Sequence, residues 1–191
     1  MMSISKVLFT TALLLAVVGC NEESNFYQLK PISKQKVAKS SIKKSNIVAI
    51  AEIQVADYLD KPQIVTRVNS QKLELNELNR WVGDIGKNIQ SVLQADLSDK
   101  LRRYTILSKP LLEPIDENYT LYVSIDRFDG DIGSKNVVLQ GHWSIVDTSE
   151  HILLRGKKFR FIKHSTASLD SIIETQSQLL NELALQIASN F

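Results

Sequence analysis

The sequence predicts an α+β fold: a single two-layer domain in which a mixed, mostly antiparallel sheet carries two amphipathic helices on one face. Three observations lead there. Two segments repeat apolar residues every three or four positions: Ile85, Ile89, Val92, Leu93, Leu97 and Leu101 in one, and Leu169, Ile172, Ile173, Leu179, Leu180, Leu183 and Ile187 in the other. That spacing puts one apolar stripe on each helix. Shorter runs between them are β-branched, aromatic or alternating, as strands with one buried face are. Turn-rich links such as Asp147-Thr148-Ser149-Glu150 join neighbouring runs, so hairpins are expected and the helices gather on one side of the sheet.

The chain opens with a leader. Lys6 precedes the largely apolar run Val7–Val18, which is short of the roughly 18–20 residues that span a bilayer but suits a secretory signal. It ends Val17-Val18-Gly19-Cys20, and Cys20 is the only cysteine of the chain. Small residues followed at once by a cysteine resemble the bacterial lipobox, with Val17 where Leu is usual. There the thiol is acylated and the chain is cut before it. The resemblance implies a signal peptide over 1–19, lipidation at Cys20, and a protein anchored by several acyl chains without spanning the membrane. In enterobacterial lipoproteins Asp after the cysteine favours inner-membrane retention, so Asn21 points to the outer membrane.

Residues 20–46 read as the lipidated cysteine and a polar tether carrying Lys30, Lys34, Lys36, Lys39, Lys43 and Lys44. Phe26–Leu29 alternates enough to form a short edge strand. A tether of about 25 residues has a coil dimension of about 25–30 Å. The folded domain is expected over 47–191. Ile47–Ile50 opens a strand that continues through Ile53 and Val55, and Pro62 leads into a second at Gln63–Val68, where a first position loses no ladder N–H. Asn69-Ser70 turns the chain into Lys72–Leu75. The first helix spans about Asp84–Arg103, with Asp84 in its first turn and Lys100, Arg102 and Arg103 in its last, as the helix dipole favours. Tyr104–Leu107 is a brief strand, and Pro110 and Pro114 bracket an irregular loop. Tyr119–Phe128, Asn136–Val146 and Ile152–Ile162 are longer strands, and the last helix covers about Leu169–Ala188.

Composition narrows function. With 23 Lys+Arg against 21 Asp+Glu the formal charge is +2, too even for the concentrated basic field that nucleic acid requires. One cysteine forms neither an internal disulfide framework nor a cysteine-rich zinc site. His142, His151 and His164 lack partners at ligand spacing, though His142 and His164 are placed to face each other across strands. The acidic stretch Asp126, Asp129 and Asp131 with Gly130 and Gly133 lacks the EF-hand spacing and reads as a Gly-containing turn between strands. No phosphate loop, nucleophile elbow or metalloprotease motif occurs in the sequence. We therefore expect no cofactor and no enzyme.

Tyr58, Ile64, Arg67, Arg80 and Trp81 lie around a Pro-containing excursion and just before the first helix. They read either as loop anchors, partly buried, or as an exposed aromatic–Arg surface at one end of the sheet of the kind that concentrates binding energy.

The same residues carry a further resemblance. Ala56-Asp57-Tyr58-Leu59-Asp60-Lys61-Pro62-Gln63-Ile64-Val65-Thr66-Arg67, Glu77-Leu78-Asn79-Arg80-Trp81, Phe26-Tyr27-Gln28-Leu29 after the cysteine, and the long last helix resemble the PqiC family. These are ABC-type transport auxiliary lipoproteins, also called membrane integrity-associated transporter subunits. Phe26-Tyr27 stands where two tyrosines are common. The resemblance implies a non-enzymatic lipoprotein of the Gram-negative outer membrane, facing the periplasm. It implies as partners an MCE-domain tunnel protein and its integral membrane subunit, which together move lipids between membranes and maintain the envelope, and it implies ring-like self-association. A second expectation, from another functional class, is a periplasmic carrier that binds lipid in an apolar groove between helix and sheet.

Overall fold

The alternation that marks Tyr119–Phe128 as a strand carries on to Asp131, and this long strand organises the sheet. The computed structural model describes residues 23–33 and 46–191. The leader, Cys20 and residues 34–45 of the expected tether lie outside the described residues. The elements are β1 (Asn25–Tyr27), β2 (Asn46–Ile50), β3 (Gln54–Val55), β4 (Gln63–Arg67), β5 (Leu73–Trp81), α1 (Ile85–Lys100), β6 (Tyr104–Ser108), β7 (Tyr119–Asp131), β8 (Asn136–Asp147), β9 (Ile152–His164) and α2 (Leu169–Ala188).

β8 pairs antiparallel along one edge of β7, and β9 follows antiparallel on β8. The other edge of β7 is shared in succession by three short parallel partners, β2 at Tyr119–Leu121, β3 at Ser124–Ile125 and β4 at Gly130–Asp131. β6 lies parallel outside β2, while β5 lies antiparallel outside β4 and is flanked in turn by parallel β1. The sheet is mixed and unclosed, its long ladders antiparallel, as the α+β expectation required.

The expected continuous strand from Ile47 to Val55 is broken into β2 and β3. The cause is a helical side chain: the Gln90 amide donates to the carbonyls of Ile50, Ala51 and Lys109 at 3.1, 3.0 and 2.9 Å, giving buried backbone acceptors a partner outside the ladder. Gly141 sits where β7 and β8 shift register, and an added Cβ there would lie 2.0 Å from the Ser124 carbonyl oxygen. Only glycine admits that approach.

Both helices bury the stripes their sequences carry. Ile85, Ile89, Val92, Leu93 and Leu97 of α1 and Ile172, Ile173, Leu179, Leu180, Leu183 and Ile187 of α2 are buried. Asp84 caps α1 rather than lying in its first turn, its Oδ1 accepting the Lys87 N–H at 2.8 Å; Ser168 caps α2. Lys100 ends α1, so Arg102 and Arg103 fall beyond it. Trp143 of β8 donates its indole N–H to Gln186 at 2.9 Å, and Gln176 donates to the Phe128 carbonyl at 3.1 Å, so α2 lies across β7 and β8. Among the described residues no helix is long and apolar enough to cross a membrane.

The expected edge strand near Phe26 is present as β1, but the segment around it does not behave as a tether. Leu29 is 2% exposed and joins the core. Its N–H donates to Asn88 Oδ1 at 2.8 Å, the Lys30 N–H to Ser177 Oγ at 3.2 Å, and the Ser33 N–H to Asp96 Oδ1 at 3.0 Å. The domain thus begins near Asn25 and not at Ile47. β5 reaches Trp81, where the sequence promised a strand only to Leu75: past a bulge in the β4 ladder Arg80 keeps Gln63 as a partner on one edge, and Asn79–Trp81 gain β1 on the other.

Candidate functional site

Of the five residues singled out in the sequence, the structure joins two through a third that was read otherwise. Tyr58, in the excursion between β3 and β4, donates its hydroxyl to Asp129 Oδ2 at 2.8 Å. Arg67 at the end of β4 donates Nε to Asp129 Oδ1 at 3.2 Å and Nη2 to Oδ2 at 3.0 Å, a bidentate grip. Arg127 adds Nε to Asp129 Oδ1 at 3.0 Å and reaches Asp131 at 3.6 Å. Asp129 is 0% exposed. Its neighbour Gly130 faces Ile172 of α2, so by strand alternation Asp129 points to the sheet face away from the helices.

The Arg67 guanidinium also lies 6.0 Å from the Tyr58 ring centre. Burial, and then the charge and hydrogen bond of Asp129, push the Tyr58 hydroxyl far above the usual tyrosine range. The Asp129 hydrogen bond likewise raises Arg67. A phenol so held keeps its proton. The constellation is therefore a lock that pins the excursion to β4 and β7, without a nucleophile or a poised base.

The expected exposed surface is not assembled. Ile64 is 0% exposed and Trp81 7%, both members of the core. Arg80 is half-buried, paired in register with Gln63 and Phe26, with its Nε on the Glu77 carbonyl at 3.1 Å. Trp81 ends β5 opposite Tyr27 of β1, a pairing between segments 54 residues apart.

The acidic stretch also differs from its expectation. Asp126–Asp131 belongs to β7, and the turn is displaced to Ile132–Lys135. The strand persists because two arginines compensate Asp129 where an unpaired charge would end burial. His142 pairs in register with Lys158 and His164 with Asn136, so the two histidines do not face each other. Among the described residues no group of three His, Cys, Asp or Glu is placed to hold a metal.

Two surfaces stand out beyond the lock. β9 is exposed along nearly its whole length and carries Arg155, Lys157, Lys158, Arg160 and Lys163 with no acidic residue. Ile152, Leu153, Leu154 and Ile162 on the same strand are exposed as well. The second is a cavity of about 460 Å³ between the N-terminal segment and α2, lined by Tyr27, Pro31, Ile32 and Ile173 and rimmed by Lys30, Asp170 and Glu174. Burial, then the nearby Asp170 charge, raise the Tyr27 hydroxyl above its ordinary value.

Known proteins share this architecture. A crystal structure of an uncharacterized protein superposes with a TM-score of 0.73 at 19% identity, over 88% of this chain and 98% of that one. A second, from Xanthomonas campestris, gives 0.69 at 14%, over 86% and 93%; both establish the fold. The intermembrane transport lipoprotein PqiC of Escherichia coli (strain K12) is 26% identical over 132 residues, 68% of each chain, and that of Shigella flexneri matches equally. Residues 27–188 match the family described as ABC-type transport auxiliary lipoprotein component. That span runs from the last residue of β1 to the last residue of α2, and with the PqiC likeness it bears out the resemblance carried by the Tyr58–Arg67 and Arg80-Trp81 segments. The chain belongs to the family of ABC-type transport auxiliary lipoproteins.

Proposed function

We propose that this protein is a lipid-anchored, non-enzymatic accessory subunit of an MCE-type intermembrane lipid transport system. It is held at the outer membrane by acyl chains on Cys20, faces the periplasm, and docks the tunnel protein and its integral membrane subunit. The observation that carries this reading is the extent of the family match, which takes in nearly all of the folded domain and not an isolated motif. The lipobox-like end of the leader supports the anchor. The docking surface belongs on β9 rather than around Trp81. An edge strand with open backbone groups, five cations and exposed aliphatic side chains suits an acidic protein partner. Two β9 edges brought together would set cation against cation, so ring-like self-association would use another surface.

A pull-down of C-terminally tagged protein from native membranes in mild detergent, with mass spectrometry of the eluate, tests the proposal. An MCE-domain protein is expected to co-purify, and Lys157→Glu/Lys158→Glu should weaken its capture. Stoichiometric phospholipid without a protein partner would overturn the adaptor in favour of a periplasmic lipid carrier. That second reading draws on the apolar-lined cavity beside Tyr27 and Ile173.

A further inference from the structure

The docking of residues 25–33 changes how far the domain stands from its anchor. β1 pairs in register with Asn79–Trp81, and three backbone N–H groups of Leu29, Lys30 and Ser33 are held by side chains of α1 and α2. Cys20 precedes Asn25 by five residues. Fully extended, five residues span about 17 Å, and as a coil about 12 Å. Residues 34–45 add nothing to this reach, because they connect two docked segments rather than the anchor and the domain. Acyl chains on Cys20 must lie in hydrocarbon, which places that residue among the head groups. The β1 edge is then confined to the immediate neighbourhood of the bilayer.

The surface at that edge fits such a place. Phe26 is 64% exposed, pointing away from the core from the outermost strand of its arm of the sheet. Arg80 is its cross-strand partner, and Val82, whose N–H bonds the Tyr27 carbonyl at 2.8 Å, is exposed beside it. An aromatic ring flanked by a guanidinium and an aliphatic side chain suits the head-group boundary, where apolar groups enter the acyl region and cations meet phosphates. We infer that the β1 edge, through Phe26 with Arg80 and Val82, lies against the surface of the phospholipid bilayer, so that the domain is seated on the membrane and not suspended from it.

The inference rests on the proposed Cys20 anchor, and the test separates the two. Acylated protein carrying Phe26→Cys or Leu153→Cys is labelled with an environment-sensitive fluorophore and reconstituted into phosphatidylcholine vesicles. Leu153 is a matched control: it is similarly exposed, but it sits on β9, across the sheet from β1. The label at position 26 is expected to be blue-shifted, quenched by brominated phosphatidylcholine and shielded from aqueous iodide, with the reverse at position 153. Protein that floats with the vesicles while both labels stay equally open to iodide would overturn the seating and leave the anchor intact. Protein that fails to float would overturn the anchor and the seating together.

Discussion

β7 and β9 are thirteen-residue strands that flank the same neighbour, β8, yet seven residues of β7 are buried and only Phe159 of β9 is. Both contain apolar residues in quantity. β7 has partners on both edges, α2 over one face and the Tyr58 excursion over the other, so even its Asp129 is enclosed. Among the described residues β9 pairs with one strand, β8, and although α2 also packs against it, only Phe159 is buried and Leu153 and Ile162 stay open. The difference teaches that apolar content marks a strand, whereas burial is conferred by what lies on either side of it. β7 is tied into the fold along both edges, whereas β9 presents an open edge, the surface proposed above for docking.

The contrast is broken most directly by truncating an apolar side chain on each strand. Phe128→Ala on β7 should cost about 4 kcal/mol of unfolding free energy, the transfer and cavity terms together. Ile162→Ala on β9 should cost about 0.5 kcal/mol or less. Comparable losses in urea denaturation would mean that β9 is covered within the monomer. Asp129→Ala comes next, at about 3 kcal/mol, because Arg67, Arg127 and Tyr58 would lose their common acceptor. A variant as stable as the parent would show that the lock is dispensable.

The smallest effect is a matter of pH. Burial pushes the Asp131 carboxyl up, but hydrogen bonds from Ser134 and the Arg127 charge outweigh it and hold the group below its ordinary value. The Lys109 hydrogen bond, foremost, does the same for Glu117. A carboxyl depressed in the folded state stabilises above its unfolded value and loses that contribution as pH falls through the folded one. The urea midpoint should therefore decline as pH drops below about 4, and Asp131→Asn should flatten the decline. An identical profile for the variant would remove Asp131 from the account.

The parts that were legible in the sequence are local. The stripes of α1 and α2 and the Asp147–Glu150 hairpin repeat at periods that only one backbone geometry satisfies, and the structure bounds α2 at Leu169 and Ala188 as its spacing does. The Ile47–Val55 break was not legible, because its cause is Gln90, some 40 positions away. Nor was the enclosure of Asp129, since a carboxyl in a run with glycines looks like a turn until Arg67, 62 residues distant, is brought to it. Trp81 and Ile64 show the same limit. An aromatic residue beside a helix start reads equally as surface or anchor, and only the assembled core decides for the anchor.

By itself, then, the sequence determined the element types, the apolar helix faces and the family to which the chain belongs, because each is written in neighbouring residues. Tertiary structure alone decided that residues 25–33 belong to the domain, that Trp81 is core, and that β9 stays open. Each of these depends on which distant segment supplies the missing hydrogen-bond partner or apolar cover, and a strand edge or a side chain carries no local record of that.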